Sequence, residues 1–167
     1  WMFSPSYGFI NYVLEKLGLP LQNMLIDSDQ AMIVLIIVSI WKGLGSNLLL
    51  FLAGLQAIPS SVYEAAEIDG ANSWQKFWHI TVQLLKPTTL FVLIITLIGS
   101  FKIFDLAYVI TGGGPGTSTM VLVHYIYQEA FQRFDMGYAS AAAYVFFIIL
   151  FILTLVQMKM FKSDSEF

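Results

Sequence analysis

Few residues of this chain have the types and the spacing that catalysis or metal binding requires. The two histidines, His79 and His124, stand far apart, and neither has a second ligand at the spacing of a zinc site. The chain contains no cysteine, which excludes disulfides and thiolate metal sites. No nucleophile stands in a recognisable pattern with a general base. We therefore predict that this chain is not an enzyme and holds no metal or cofactor of its own.

A glycine-rich run at residues 112–119, GGGPGTST, superficially resembles a phosphate-binding loop. Such a loop needs a lysine before its serine or threonine, and a strand before its glycines. This run contains no lysine and follows a long apolar segment instead. We therefore interpret it as a sharp turn at the end of an apolar helix, and we expect no nucleotide there.

Three charged residues stand within otherwise apolar segments. Lys102 and Asp105 are three positions apart, so on a helix they would be close enough for an ion pair. Such a pair could relay ions in a gradient-driven carrier or channel, or it could be purely structural. Lys42 stands near the middle of an earlier apolar segment, where an uncompensated charge costs about 2.5–3.5 kcal/mol. We expect these charges to face protein or water rather than lipid.

The composition indicates a membrane protein. The chain is 57% hydrophobic and only 11% charged, with a mean hydropathy of +0.74, whereas soluble domains are about a quarter charged. The eight Lys and Arg residues are scattered singly in a chain of net charge −3. Because they form no basic patch, we expect no nucleic-acid partner.

Three segments are long and apolar enough for a helix to cross a bilayer core, which takes about 20 residues. Three spans cannot close a β-barrel, so the predicted fold class is an all-α membrane protein with three transmembrane helices. The predicted spans are residues 31–58, 88–110 and 137–160. The other segments are an external or interfacial stretch at 1–30, a polar loop at 59–87, a glycine-rich turn with an interfacial helix at 111–136, and a tail at 161–167.

Two of the spans carry a face of small and polar side chains. In the first span this face consists of residues spaced i, i+3, i+4, i+7, which lie on one side of a helix: Ser39, Lys42, Gly43 and Ser46. In the second span it consists of Thr96, Gly99, Ser100 and Ile103. The first of these faces could line a solute path, or it could pack closely against another helix.

The distribution of basic residues predicts the orientation. The side with residues 59–87 and the C-terminal tail holds Lys76, Lys86, Lys159 and Lys162. The opposite side holds only Lys16 and Arg133. Because basic residues are enriched on the cytoplasmic side of membranes, we expect residues 59–87 and the C-terminus to be cytoplasmic.

The loop at residues 59–87 is predicted to fold into two short helices. Ser61 and Glu64 fit a capping box that would start the first helix. Gly70 would end it in the left-handed conformation, and Asn72 or Ser73 would cap the second helix, which ends before Pro87. The aromatic side chains of the second helix could form a docking surface or an anchor at the lipid interface.

The run EAAEIDGANSWQKFWHITVQLLKP in this loop resembles the EAA loop of permease subunits of ATP-binding-cassette importers. The segments FLAGLQAIP before it, SFKIFDLAYVITGGGPGTST after it, and YQEAF and MGYASA later resemble the sugar and glycerol-phosphate branch of that family. One departure is that Val82-Gln83 stands where the family usually has Leu-Pro, which affects the expected local bend of the helix.

This resemblance implies the inner-membrane permease of an importer for a sugar, an oligosaccharide or a glycerol-phosphate-like solute. The permease would have about six spans, so we interpret this chain as its C-terminal part. The implied partners are an ATPase subunit dimer that binds ATP and Mg²⁺, a second permease and an extracytoplasmic solute-binding protein. The implied ATPase-coupling residues are Glu64, Ala65, Ala66, Asp69, Gly70 and Ala71, and the implied solute path follows the two polar faces.

Overall fold

The computed structural model describes residues 1–163, and all the regular secondary structure in that range is helical. The predicted tail at 161–167 begins inside the last helix, and its final four residues lie outside the described part of the chain. The described chain divides into two compact units. One comprises Trp1–Lys42 and Gly99–Ile148, and the other comprises Gly43–Ile98 and the residues that follow Ile148.

Three long helices correspond to the three predicted spans. They are α2 (Ser28–Gln56), α6 (Lys86–Phe101) and α9 (Met136–Ser163). The three candidate spans have mean hydropathies of 1.9, 2.1 and 2.6 in their most apolar windows. Only 11%, 11% and 6% of those windows are buried within the chain. Lipid or further protein must therefore cover most of their apolar surface.

The first unit holds the N-terminal segment, the start of α2 and the region between α6 and α9. Helix α1 (Phe9–Lys16) lies within the stretch predicted to be external or interfacial, and Gly18 follows it at a φ of +68°. The buried Asn11 side chain donates to the carbonyls of Pro5 and Gln22, at 2.9 Å and 2.8 Å. These bonds fix the turns on both sides of α1, since a buried amide needs such partners.

The second candidate span is interrupted. Helix α6 ends at Phe101, and α7 (Phe104–Leu106) continues directly into a π-helical turn at Ala107–Thr111. Between them, Ile103 has a ψ of +42° instead of a helical value. The predicted pair of Lys102 with Asp105 is wrong, because this interruption removes the helical spacing on which the prediction depended. Asp105 pairs with Lys42 of α2 instead.

Beyond the glycine-rich turn, α8 (Leu122–Tyr127) runs into a π-helical turn at Gln128–Gln132. His124 is buried, and its ring stands edge-on to Phe104 and Tyr108, with centroids 5.8 Å and 5.5 Å away. A Cβ at Gly113 would lie 3.0 Å from the His124 ring, so this position has room only for glycine. The turn thus packs onto an aromatic cluster that includes His124, Phe104 and Tyr108.

The second unit holds the rest of α2, the loop helices and most of α6. Gly54 of α2 lies so close to α6 that a Cβ there would be 2.6 Å from Thr88 Oγ1. Thr96 Oγ1 also donates to Asn47 Oδ1, at 3.4 Å. Small residues allow such close approach of membrane helices, where dispersion contacts contribute most of the attraction.

We expect Gly54→Ala to destabilise the protein because its added methyl group would collide with Thr88. Overpacking of this kind costs about 1–3 kcal/mol. The matched control is Gly45→Ala in the same helix, where a Cβ meets nothing within 4 Å. Thermal unfolding of the purified protein in detergent should show a lower midpoint for Gly54→Ala than for Gly45→Ala. Adding Thr88→Ala should recover the loss, and equal midpoints for the two single variants would contradict this packing.

Candidate functional site

The loop at residues 59–87 forms two helices joined by a tight elbow. Helix α3 (Ser60–Ile68) ends at Asp69, and the Ala71 amide donates to the Ala66 carbonyl at 2.9 Å. Gly70 has a φ of +78°, as predicted for a glycine that ends a helix in the left-handed region. A residue with a Cβ is strained in this conformation, so the chain can reverse here at low cost only with glycine.

The second half of the loop is nearly continuous. It consists of α4 (Ser73–Lys76), a π-helical turn at Phe77–Thr81, and α5 (Val82–Leu84). Asn72 caps α4 as predicted: its side chain accepts from the Gln75 amide, and the Gln75 side chain accepts from the Asn72 amide, both at 2.9 Å. Val82-Gln83 lies inside this helical run, which ends at Leu84, before Pro87.

The predicted capping box at Ser61 and Glu64 is wrong. Helix α3 begins two residues earlier than such a box requires, with Pro59 as its N-cap residue and no side-chain cap. A capping serine must itself stand at the extended N-cap position. Pro59 occupies that position with a ψ of 137°, so Ser61 already lies within the first helical turn.

Two contacts tie α3 to the second half of the loop. Lys76 Nζ donates to Glu67 Oε1 at 2.6 Å, and the hydroxyls of Tyr63 and Thr81 are 2.9 Å apart. The hydrogen bond from Lys76 holds the pKa of the Glu67 carboxyl below its ordinary value. Sequence reasoning missed all four residues, because their partnership depends on the angle of the elbow rather than on a periodicity. Together with Gly70, they make the loop a compact knob.

The elbow end of the knob is exposed and acidic. Glu64, Glu67 and Asp69 point to solvent there, and residues 60–70 contain no Lys or Arg. Ala65 and Gly70 are also exposed, whereas Ala66 and Ala71 are half-buried. Ile68 is 87% exposed, a second feature that the sequence analysis did not single out. An apolar side chain held out of a rigid acidic surface is typical of a protein-docking site.

A notch of about 340 Å³ opens beside the elbow. The notch is lined by the exposed elbow and by the polar side of the second helix. The lining residues are Asp69, Gly70, Ala71, Gln75, Lys76, His79 and Ile80. Trp74, Phe77 and Trp78 form a mutual cluster, with neighbouring ring centroids 5.2–6.3 Å apart. All three rings are partly exposed, so both predicted roles, docking and interfacial anchoring, stay open.

The polar residues predicted for a solute path on α2 differ in whether their side chains bond within that helix or to another element. On α2, the Ser39 hydroxyl donates to the Leu35 carbonyl and the Ser46 hydroxyl to the Gly43 carbonyl, at 2.7 Å and 3.0 Å. The hydrogen bonds that these two serine hydroxyls donate are therefore both made within α2. Lys42 is different, since it reaches across to Asp105.

The predicted residues of the second span lie around its interruption. Gly99 and Ser100 are exposed near the end of α6, and Ile103 stands in the interruption itself. Gly99 has open space where a Cβ would be. Helix α6 has 16 residues, a length of about 24 Å at 1.5 Å per residue. Since a bilayer core is about 30 Å thick, the interruption falls at membrane depth.

Non-helical backbone at that depth is tolerated only beside protein or water. The side chains of Lys42 and Asp105 are 60% and 59% exposed in the chain. Two charges and an interrupted helix thus meet at one place, which must face water or a further subunit. The arrangement can provide a polar lining within the membrane.

The helical fold, with three candidate spans and a polar knob between the first two, is that of a multi-span membrane protein. The chain belongs to the family described as binding-protein-dependent transport system inner membrane component, whose model matches residues 2–162. This finding confirms the resemblance seen in the sequence.

Relatives with known names are similar over nearly the whole chain. The arabinooligosaccharides transport system permease protein AraP of Bacillus subtilis is 40% identical over 159 residues, covering 93% of this chain and 51% of that protein. The sn-glycerol-3-phosphate transport system permease protein UgpA of Agrobacterium fabrum is 38% identical over 168 residues, covering 100% and 57%. The chain therefore spans little more than half the length of these curated relatives.

A solved structure has the same fold. The match is a chain of a bacterial ABC transporter involved in the import of the acidic polysaccharide alginate. It has a TM-score of 0.83 and 27% sequence identity, and the comparison covers 99% of this chain and 58% of that one. Another match is to the bacterial alginate transporter in complex with an alginate pentasaccharide-bound periplasmic protein, also at a TM-score of 0.83.

We expect the Glu67–Lys76 contact to protect the elbow only while Glu67 is ionised. Because the pKa of Glu67 is lowered in the folded chain, its contribution is present above the ordinary value of 4.5 and is lost as the pH falls through the lowered value. Hydrogen-exchange protection of the elbow amides at pH 7 should be weaker in Glu67→Gln than in the unsubstituted protein. That difference should disappear well below pH 4.5. The control Glu64→Gln, on the same helix, should leave protection unchanged at both values, and a pH-independent difference for Glu67→Gln would contradict the ion pair.

Proposed function

We propose that this chain is part of a permease subunit of an ATP-driven, binding-protein-dependent importer. The solute is a sugar, an oligosaccharide or a glycerol-phosphate-like compound, a range supported by the names of the relatives. The observation that carries the proposal is the exposed, internally braced knob at residues 59–87. Such a knob can transmit force only if it moves as one body, and its three restraints suit it to that: the Gly70 elbow, the Asn72 cap and the Glu67–Lys76 bond.

The knob is the attachment point of an ATPase subunit dimer. A groove on the ATPase receives residues 64–70, where the small side chains of Ala65 and Ala66 allow close approach. The acidic surface favours a groove with basic residues, and Ile68 fills an apolar pocket within it. The ATPase subunits bind ATP and Mg²⁺ and perform the hydrolysis, while this chain contributes no group to that reaction.

Closure of the ATPase dimer moves the knob, and the knob moves the spans attached to it through α2 and α6. The membrane domain then alternates between outward- and inward-facing states. The solute path follows the polar faces of the two spans: Ser39, Lys42, Gly43, Ser46, Thr96, Gly99, Ser100 and Ile103. The interruption at membrane depth supports this placement, because discontinuous helices commonly border transport sites.

Further subunits complete the importer. A second permease closes the path, since three spans cannot enclose it, and an extracytoplasmic solute-binding protein delivers the solute. The assembly lies in the inner membrane, with residues 59–87 and the C-terminus in the cytoplasm, as the basic residues indicate.

ATP dependence tests the function itself. The full-length permease and its partners, reconstituted in vesicles with the binding protein, should accumulate labelled arabinotriose or labelled sn-glycerol-3-phosphate when ATP is supplied to the cytoplasmic face. A non-hydrolysable ATP analogue should support no accumulation. Uptake driven by a proton or sodium gradient alone would contradict the proposal and favour an ion-coupled carrier or channel.

The backbone at Gly70 gives a sharper test of coupling. We expect Gly70→Val to abolish ATP-driven uptake, because a β-branched residue is strongly disfavoured at a φ of +78°. The matched control Gly70→Asn places a side chain of similar size at the same site, and Asn tolerates this conformation. Uptake in right-side-out vesicles loaded with ATP should fall at least tenfold for Gly70→Val and less than threefold for Gly70→Asn, with equal membrane insertion. Equal losses would show that bulk at the elbow matters and its backbone conformation does not.

Ile68 provides a test of the docking surface. We expect Ile68→Ser to weaken binding of the ATPase subunit at least tenfold, equivalent to about 1.4 kcal/mol, because the apolar anchor is lost. The control is Leu17→Ser, which changes an exposed apolar residue on the side of the chain predicted to be external. Binding of the purified ATPase to the permease in nanodiscs measures both effects. An unchanged dissociation constant for Ile68→Ser would exclude this surface as the main ATPase contact.

A further inference from the structure

The ion pair between Lys42 and Asp105 joins the middle of α2 to the interrupted span. Lys42 is the fifteenth of the 29 residues of α2, so about 20 Å of helix extends on either side of it. Asp105 lies in α7, two residues after Ile103, where the span loses its helical backbone. The ammonium group and the carboxylate are in direct hydrogen-bond contact. The contact therefore fixes the interrupted part of the span to a continuous helix.

The surroundings of this pair differ from those of a static structural ion pair. More than half of each side chain is exposed within the chain. A deeply buried pair resists separation because each charge would be left unpaired in a medium of low dielectric constant. An exposed pair beside water can exchange its partner for water at little cost. The Lys42–Asp105 pair therefore combines a fixed position at membrane depth with sides that this chain leaves open to water or a further subunit, and where water enters the two charges can part.

The interruption gives the span a place to bend. Lys102 donates its amide to the Gly99 carbonyl, and Phe104 donates to the Lys102 carbonyl, so the regular helical bonding is broken locally. Sharp changes of helix direction occur where regular helical bonding is disrupted. An ion pair two residues from such a point restrains the part of the span that follows it for as long as the pair is closed.

We propose that Lys42 and Asp105 form a latch that is closed in this conformation and parts in each transport cycle. The proposal rests on the proposed function, since it requires spans that alternate between two states. The two charges act as one unit, so a variant that keeps them matched is tolerated and a variant that leaves one charge alone is not. Lys42 and Asp105 are positioning residues in this account.

Charge matching is tested first in the reconstituted full-length importer. Lys42→Met and Asp105→Asn should each lower ATP-driven uptake of labelled arabinotriose or sn-glycerol-3-phosphate at least tenfold. The exchanged variant Lys42→Asp with Asp105→Lys should recover uptake to within threefold of the unsubstituted importer. The matched control Lys102→Met, at the interruption but outside the pair, should stay within twofold. A double exchange as inactive as the single variants would overturn the proposal.

Separation of the latch is tested by a reversible cross-link. The described chain has no cysteine, so Lys42→Cys with Asp105→Cys introduces one unique pair in this part of the permease. This variant loses both charges together, and its own uptake before cross-linking is the reference for the effect of the cross-link. Closing the pair with a short, cleavable thiol cross-linker should then lower uptake and coupled ATP hydrolysis at least tenfold, and reduction should restore both. The matched control is the same double-cysteine variant treated with a monofunctional thiol reagent, which caps both thiols without joining them and should leave uptake unchanged.

Full transport by the cross-linked importer would show that these positions never part and would overturn the latch. This failure differs from a failure of the proposed function. In that case the unsubstituted importer itself would show no ATP-dependent uptake, whatever happens at residues 42 and 105. A variant that fails to assemble is recognised by the loss of the co-purifying ATPase, and the cross-link result on the assembled double-cysteine protein then decides.

Discussion

Lipid hydrocarbon offers no hydrogen bonds, and this constraint accounts for most of the polar contacts in the membrane-spanning part of the chain. Ser39 and Ser46 bond to carbonyl groups of their own helix, and Thr96 finds a partner in Asn47 of the neighbouring helix. The two strongest departures from an apolar span, a charged Lys42 and an interrupted backbone at Ile103, occur together. Their coincidence indicates a place that lipid does not reach, which is what a solute path through the membrane requires.

Outside the membrane, hydrogen bonds and ion pairs fix the shape of a loop instead of satisfying polar groups that lipid would leave unbonded. At residues 59–87 polar groups are free to be exposed, and the chain uses them to fix one shape. The Glu67–Lys76 bond and the Tyr63–Thr81 contact hold α3 against the second half of the loop, and the Asn72 cap fixes the start of that half. In the proposed function, a stiff knob transmits a movement, and a bend point in the span allows the membrane part to respond to it.

Patterns of short range were predictable from the sequence. The three spans each depend on the composition of one continuous segment, and the left-handed Gly70 and the Asn72 cap depend on residues within one helical turn; each is found in the structure. Predictions failed where a choice between neighbouring partners was needed. Asp105 pairs with a residue 63 positions away instead of Lys102, and Pro59 takes the N-cap position ahead of Ser61. The sequence analysis missed Ile68, because the periodicity of apolar residues does not show which apolar side chains remain exposed to solvent.

Site-specific photocross-linking at the knob tests the central claim most directly. Ile68 is replaced by benzoylphenylalanine in the full-length permease, in cells that contain every subunit of the importer, and the ATPase carries an epitope tag. After irradiation, the account predicts a covalent permease–ATPase product from position 68 and none from Leu17 substituted in the same way. Absence of that product in a correctly inserted permease, or equal yields from the two positions, would contradict the claim that residues 59–87 couple the membrane helices to an ATPase.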